Sequence, residues 1–333
     1  MMRTPLSVLD LAPVRRGSSA SEAFAESIDL ARHVEALGYR RLWFAEHHAM
    51  PGIASAAPAV LIARVAAATS TIRVGSGGVM LPNHAPLVIA EQFGTLEALF
   101  PGRIDLGIGR APGTDPLTAS ALGRDDPTTG DGLPAMLDEL YGFFRGGFGE
   151  DHAYHTIRAV PALGNEPPIW LLGSSGYSAR VAGRRGLPFA FAHHFSPANT
   201  LPALELYRKT FSPSAVLTQP EAMIGAIVIV AETDAEARRL ALPSALAFLR
   251  VRQGKREPYP TIEEAETYPW TEEERAFAEK WLAQNIVGGP AVVREQLEKL
   301  LDATRADELM VLCVVPNAEA RKRSYTLLRE LHG

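Results

Sequence analysis

"LWFAEHHAMPG", residues 42–52, is the stretch on which the reading of the fold turns. Leu42, Trp43, Phe44 and Ala45 form a short, continuously apolar run that stops at Glu46, His47 and His48 and is followed by Pro51-Gly52. A strand with one wet face alternates apolar and polar residues, whereas a parallel strand covered on both faces need not. The acid and the two histidines then read as the polar rim at which a buried strand ends.

Seven more runs of this kind alternate with segments of helical period. They are "LSVLDLAP" (6–13), "IRVGSGGVMLP" (72–82), "RIDLGIGRAPG" (103–113), "PIWLLGSS" (168–175), "PFAFAHHF" (188–195), "AMIGAIVIVAE" (222–232) and "DELMVLCVVP" (307–316). With "RRLWFAEHH" (40–48) they make eight. The helices between them are punctuated. Ser19 and Glu22 have the spacing of a capping box, Phe24, Ile28, Ala31, Val34 and Leu37 then share a face, and Gly38 stops the helix. Gly288-Gly289-Pro290 opens a helix striped by Val293, Leu297, Leu300 and Leu301, and a last helix covers 318–331. Eight such units predict an α/β fold, a (β/α)8 TIM barrel. Periodicity alone leaves an open doubly wound sheet as the rival.

A bare barrel takes roughly 250 residues. The surplus falls in two insertions, 114–166 after the fourth strand and 253–289 after the seventh helix, within a single domain spanning 1–333. Excursions of this length are commonly lids over a site. The formal charge of −5 argues against nucleic acid or an anionic membrane as partner. Apolar stretches are strand-sized, too short for a bilayer span or a signal peptide, so a cytoplasmic location is expected. One cysteine, Cys313, sits inside an apolar run as a core residue, which excludes a disulfide framework.

Barrel active sites lie at the C-terminal ends of the strands. Of nine histidines, five (His47, His48, His84, His193, His194) fall at or just after such ends. Neighbours on a strand face apart, so His47 and His48 are poorly placed to share an ion, and no metal site is expected. "GIGRAPG" (107–113) is weak as a dinucleotide fingerprint because no helix opens after it. Its Arg110 is more telling: an arginine leaving a strand end can hold a phosphate by charge-assisted bonds. "GSSGYSARVAG" (173–183) sets Ser174, Ser175 and Ser178 between a strand and a helix start, where free N–H groups attract anions. Plain N-capping by these serines is the alternative. Three glycines in "GSGGVMLP" (75–82) mark a bulge or a close approach, as a flat ring across the barrel mouth would require.

In their order along the chain, "EHH", "GSGGVMLP", "GRIDLGIGRAPG", the serine-rich turn before "GLP" and "GGPAVVREQLEKLLDATRADEL" resemble the bacterial luciferase-like family of flavin-dependent monooxygenases. The stretch "LPNHAPLVIAEQFGTLEALFPGRIDLGIGRAPG" is similar to the branch of that family whose substrate is unknown. The resemblance implies reduced FMN as cofactor, its phosphate held by Arg110, Ser174, Ser175 and Ser178. It implies a ring lying against Gly77 and Gly78, where the family has a non-prolyl cis peptide. His47 takes the place of the family's histidine near the reactive flavin carbon, with Glu46, His48 and His193 lining a substrate pocket. It implies oxygenation of a small organic substrate by O2, a separate flavin reductase, lids at 253–289 and 114–130, and a homodimer formed around the Ala-rich segment 55–70. Two departures stand out. Gly109 replaces a cysteine and Ser174 replaces an acid of luciferase itself, so light emission is not implied. A deazaflavin-dependent hydride transfer, or flavin binding without catalysis, are the alternatives.

Overall fold

The computed structural model describes residues 4–125 and 127–332; residues 1–3, 126 and 333, which the expected domain and the expected lid at 114–130 take in, lie outside the described residues. One sheet contains nine parallel strands: β1 (Leu6–Asp10), β2 (Arg41–Phe44), β3 (Arg73–Met80), β4 (Ile104–Gly109), β5 (Ile169–Gly173), β6 (Phe189–Ala192), β7 (Ala222–Val230), β8 (Ile286–Gly288) and β9 (Glu308–Leu312). β1 to β6 pair in sequence order, β6 pairs with β7, β7 with β9, and β9 with β1. The sheet therefore closes on itself as a (β/α)8 barrel, and the open sheet is excluded. Each of the eight expected runs supplies one barrel strand.

Two-sided cover explains the missing alternation: all four residues of β2 and all nine of β7 are buried. The length of β7 also accounts for the ninth strand. Its first part pairs with β6 and β9, and its last three residues, Val228–Val230, pair with Ile286–Gly288 of β8.

Local signals act as expected at the helix ends. Ser19 Oγ accepts from Glu22 N at 3.2 Å while Ser19 N donates to the Glu22 carboxylate at 2.7 Å, closing the capping box of helix Ala20–Ala36. Helix Pro290–Thr304 begins on its proline and packs against helices Thr200–Thr210 and Ala318–His332. The insertions are more regular than irregular lids. The first holds helix Pro116–Ala121, a 3₁₀ turn Pro127–Gly132 and helix Leu133–Arg145. The second, after helix Asp234–Arg252, holds helices Ile262–Thr267 and Glu272–Gln284, capped by Thr261 and Thr271 respectively, and then β8.

The N-terminal end of the barrel is plugged by charge. Arg41, at the start of β2, donates to Asp105 Oδ2 at 2.9 Å and to Glu308 Oε2 at 3.0 Å, and all three side chains are buried. Trp43 Nε1 donates to Asp105 at 3.0 Å, and the Trp170 ring lies 4.9 Å from the guanidinium. Burial works against the Arg41 charge, but the two carboxylates outweigh it and raise its pKa. Cys313 is free and buried.

Candidate active site

At the opposite end, the C-terminal ends of the strands surround a cavity of about 410 Å³. Its floor is apolar, with Leu9, Trp43, Met223 and Met310 among the lining residues. Its roof comes from the end of helix Asp234–Arg252 and the segment after it, including Phe248, Val251 and Tyr259. The expected lid at 253–289 therefore contributes its first residues, together with the helix before it. Among the described residues, none of the segment expected as a lid at 114–130 lines the cavity, but the segment is tied to the roof: Arg256 pairs with Asp115 and donates to Ala49 O at 3.3 Å.

β2 ends at Phe44, so Glu46, His47 and His48 lie past the strand, and hydrogen bonds, not strand alternation, set them apart. His47 lines the cavity, and its Nδ1 meets Gly113 O at 3.3 Å. A carbonyl only accepts, so the neutral ring carries its proton on Nδ1 and leaves Nε2 as an acceptor. Burial lowers the His47 pKa, with the Gly113 bond and Glu46 opposing it. The ring is thus neutral at physiological pH.

Glu46, His48 and His193, expected in the pocket wall, are not among the residues lining it. Glu46 is fully buried and acts as a hub. It accepts from His48 Nε2 at 2.9 Å, from His84 Nε2 at 2.9 Å, from Asn83 Nδ2 at 3.1 Å and from Met80 N at 2.9 Å. Burial alone would raise its pKa, but the bonds from His84 and His48 hold it below the ordinary carboxylate value. His193 bonds Thr200 Oγ1 at 2.8 Å, and its neighbour His194 lines the cavity instead. No group of three or more His, Cys, Asp or Glu among the described residues is placed to hold a metal ion.

The anion-binding expectation falls on β4 and β5. Arg110, Ser174, Ser175 and Ser178 all line the cavity. Ser175 is the N-cap of helix Gly176–Arg185 yet its side chain makes no capping bond, so the first-turn N–H groups are left to other acceptors. The Arg110 guanidinium lies 4.2 Å from the Tyr177 ring centroid, and its carboxylate contact among the described residues, Asp131, is long at 3.4 Å and exposed. Arginine, hydroxyls and helix N-terminus facing one space fit a phosphate monoester. The peptide between Gly77 and Gly78 is cis, and Gly77 lines the cavity. A Cβ at Gly78 would come within 2.7 Å of Gly107 O, so crowding by the backbone of the neighbouring strand already requires glycine there, whereas one at Gly77 would meet the movable tip of Leu9 at 2.8 Å. A flat, apolar-walled mouth with an anion cradle at one edge fits a flavin mononucleotide.

Sequence reasoning missed His194 and the hub role of Glu46. The signal for the second was available: an acid directly after an apolar strand must find donors or stay in water.

A closed barrel with a neutral histidine, an arginine and three serines facing one cavity at the C-terminal ends of its strands is the setting in which barrel enzymes place their sites. The chain belongs to the luciferase-like monooxygenase family, whose model matches residues 4–308. A luciferase-like monooxygenase of Escherichia coli is 47% identical, with 98% of this chain and 96% of the relative covered. The crystal structure of apo-MsnO8 superposes with a TM-score of 0.89 at 40% identity, covering 99% of this chain and 98% of the other. The same fold is seen in the type II Baeyer-Villiger monooxygenase that is the oxygenating constituent of 3,6-diketocamphane monooxygenase, from the CAM plasmid of Pseudomonas putida, in complex with FMN. There the TM-score is 0.72 at 21% identity, with 99% of this chain and 98% of the other covered.

Proposed function

We propose that the chain is a monooxygenase using reduced FMN and O2 to oxygenate a small organic substrate. It would work as the oxygenase part of a two-component system, with a separate reductase supplying the reduced flavin. The observation that carries this reading is that His47, held neutral, faces the same apolar cavity as the cradle of Arg110, Ser174, Ser175 and Ser178. Family membership supports it, and the FMN complex of a relative described as an oxygenating constituent agrees with the two-component arrangement.

Bound FMN would supply the reducing equivalents for O2 activation. The protein's share is positioning and exclusion of water. Arg110 and the serine turn would hold the phosphate, and Gly77 and Gly78 would leave room for the ring. Tyr259 and Phe248, in the roof, would keep water out of the cavity. His47 Nε2 accepts or returns a proton beside the flavin. Glu46, His48 and His84 act outside the wall by fixing the loop that carries His47. The deazaflavin alternative has fold-level support alone: an F420-dependent secondary alcohol dehydrogenase has a TM-score of 0.70 at 15% identity. We place the protein in the cytoplasm as a homodimer meeting through helix Pro58–Ala66, where Val60 is 68% exposed. No helix among the described residues is long and apolar enough to cross a membrane.

The test is His47→Ala, assayed for O2 consumption with FMN, a reductase and a panel of organic substrates. Turnover should fall by about 100-fold or more, with FMN affinity by flavin fluorescence unchanged. Native turnover at native affinity overturns the role of His47. Binding of deazaflavin in preference to FMN overturns the cofactor.

A further inference from the structure

We infer that His194 is a substrate-recognition residue, and that the substrate is a neutral, largely apolar molecule carrying one hydroxyl or N–H group that donates to His194 Nε2. The inference rests on the flavin reading, which assigns the β2 to β5 side of the mouth to the cofactor. What remains for substrate is the wall contributed by β6, β7, β9 and β1, under the roof.

Among the described residues, that wall has one polar side chain. Leu9, Phe191, Met223, Met310 and Leu312 are representative of the rest, and His194 is the exception. A lone imidazole in an apolar wall either has its needs met by the chain or is there to meet a ligand. One of its nitrogens is satisfied: Nδ1 lies 2.8 Å from Gly225 O and, facing a carbonyl, carries the proton. Gly225 makes room for this bond, since a Cβ there would stand 3.1 Å from His194 Cε1. Nε2 has no partner among the described residues and is not among the side-chain atoms sealed inside the protein. It is an acceptor with nothing to accept.

The charge state narrows the ligand further. Burial lowers the His194 pKa to about 4, so the ring is neutral at pH 7 and offers a lone pair, not a cation. An anionic head group would gain nothing from a neutral ring and would lose its hydration, and of the cations in the roof Arg250 and Arg256 are already paired with Glu264 and Asp115 while Lys255 is exposed. A hydroxyl or N–H donor gains a hydrogen bond with no charge to desolvate. His47 meets the cavity in the same way from the opposite wall, Nδ1 bound to a carbonyl and Nε2 free, so two acceptors serve two occupants.

The test compares 2-naphthol with 2-methylnaphthalene, which replaces the donor by a methyl group of similar size. Calorimetric affinities are measured on apoprotein and on FMN-loaded protein, for wild type, His194→Asn and His194→Gln. The asparagine amide can keep the bond to Gly225 O while removing the Nε2 acceptor, whereas glutamine restores an acceptor further out. The naphthol-to-methylnaphthalene affinity ratio should fall about tenfold in His194→Asn, as expected for one lost hydrogen bond in an apolar site, and recover in His194→Gln. An unchanged ratio in His194→Asn overturns the inference, as does a ratio that His47→Asn abolishes instead. FMN affinity is read separately from flavin fluorescence. A protein that binds naphthol through His194 but not FMN breaks the flavin reading; one that binds FMN but ignores the naphthol hydroxyl breaks this one.

Discussion

At the N-terminal end of β2, Arg41 lies between Asp105 and Glu308; past its C-terminal end, Glu46 lies between His48 and His84. Both are buried ionic hubs reached from one four-residue strand. They differ in who holds the fixed charge. Arginine stays protonated at any pH a protein meets, so the lower hub is a permanent lock between β2, β4 and β9. The upper hub has a carboxylate at its centre, a group that loses its charge in acid. The lower end secures the scaffold, and the upper end secures the loop that carries His47 into the cavity.

The largest effect is expected where the permanent lock is broken. Glu308→Ala leaves Arg41 buried beside one carboxylate, and the urea midpoint should fall by the equivalent of about 3–5 kcal/mol. A loss below about 1 kcal/mol would put the two ends on the same footing. Glu46→Gln should cost less, about 1–3 kcal/mol at pH 7, because it weakens charged hydrogen bonds without stranding a fixed charge. It should also slow turnover by loosening the His47 loop.

The acid dependence of that variant sharpens the contrast. Glu46 has its pKa lowered from an ordinary value of 4.5, so its stabilisation is complete above 4.5 and is lost as pH falls through the lower folded value. The gap between wild type and Glu46→Gln in urea melts should therefore stay constant from pH 8 to 5 and close in more acid solution. Closure already between pH 7 and 6 would show that the Glu46 carboxylate does not control the hub. The smallest effect is expected from Arg256→Ala, which removes an exposed pair to Asp115. Denaturation should not change measurably, because exposed pairs contribute little. Limited proteolysis should speed up within 253–261, the segment that the pair ties across the mouth.

Much of the barrel could be read directly from the chain because its strands are buried on both faces, which leaves apolar runs such as "AIVIV" with no competing reading. The gathering of Ser174, Ser175 and Ser178 at the cavity is legible for a related reason: a strand, small hydroxyl residues and a helix start follow one another within residues 169–185. The second insertion was not read as helical, although Thr271 and Glu274 form a capping box, because Pro258, Pro260 and Pro269 around it suggested a loop. The choice between His193 and His194 lay beyond alternation. β6 stops at Ala192, and past that point the chain turns, so parity along the strand says nothing about which ring enters the cavity. Glu46 was misplaced for a similar reason: its partners His84 and Met80 come from the end of β3 and the turn after it, a contact that no local pattern encodes.

The pairing of β8 with the last residues of β7 has a practical side. Ala231 N donates to Gly288 O at 3.3 Å, so the chain leaves the sheet and returns to it within one three-rung parallel ladder. Everything between, including the helices and the roof over the cavity, is a loop closed at its base. Its two ends are fixed in register whatever sequence runs between them. The roof can thus be exchanged as a cassette: a segment from a relative spliced in after Val230 and before Ile286, with its own barrel helix, would meet the same two anchor points, and substrate range could be changed while the barrel strands are left alone.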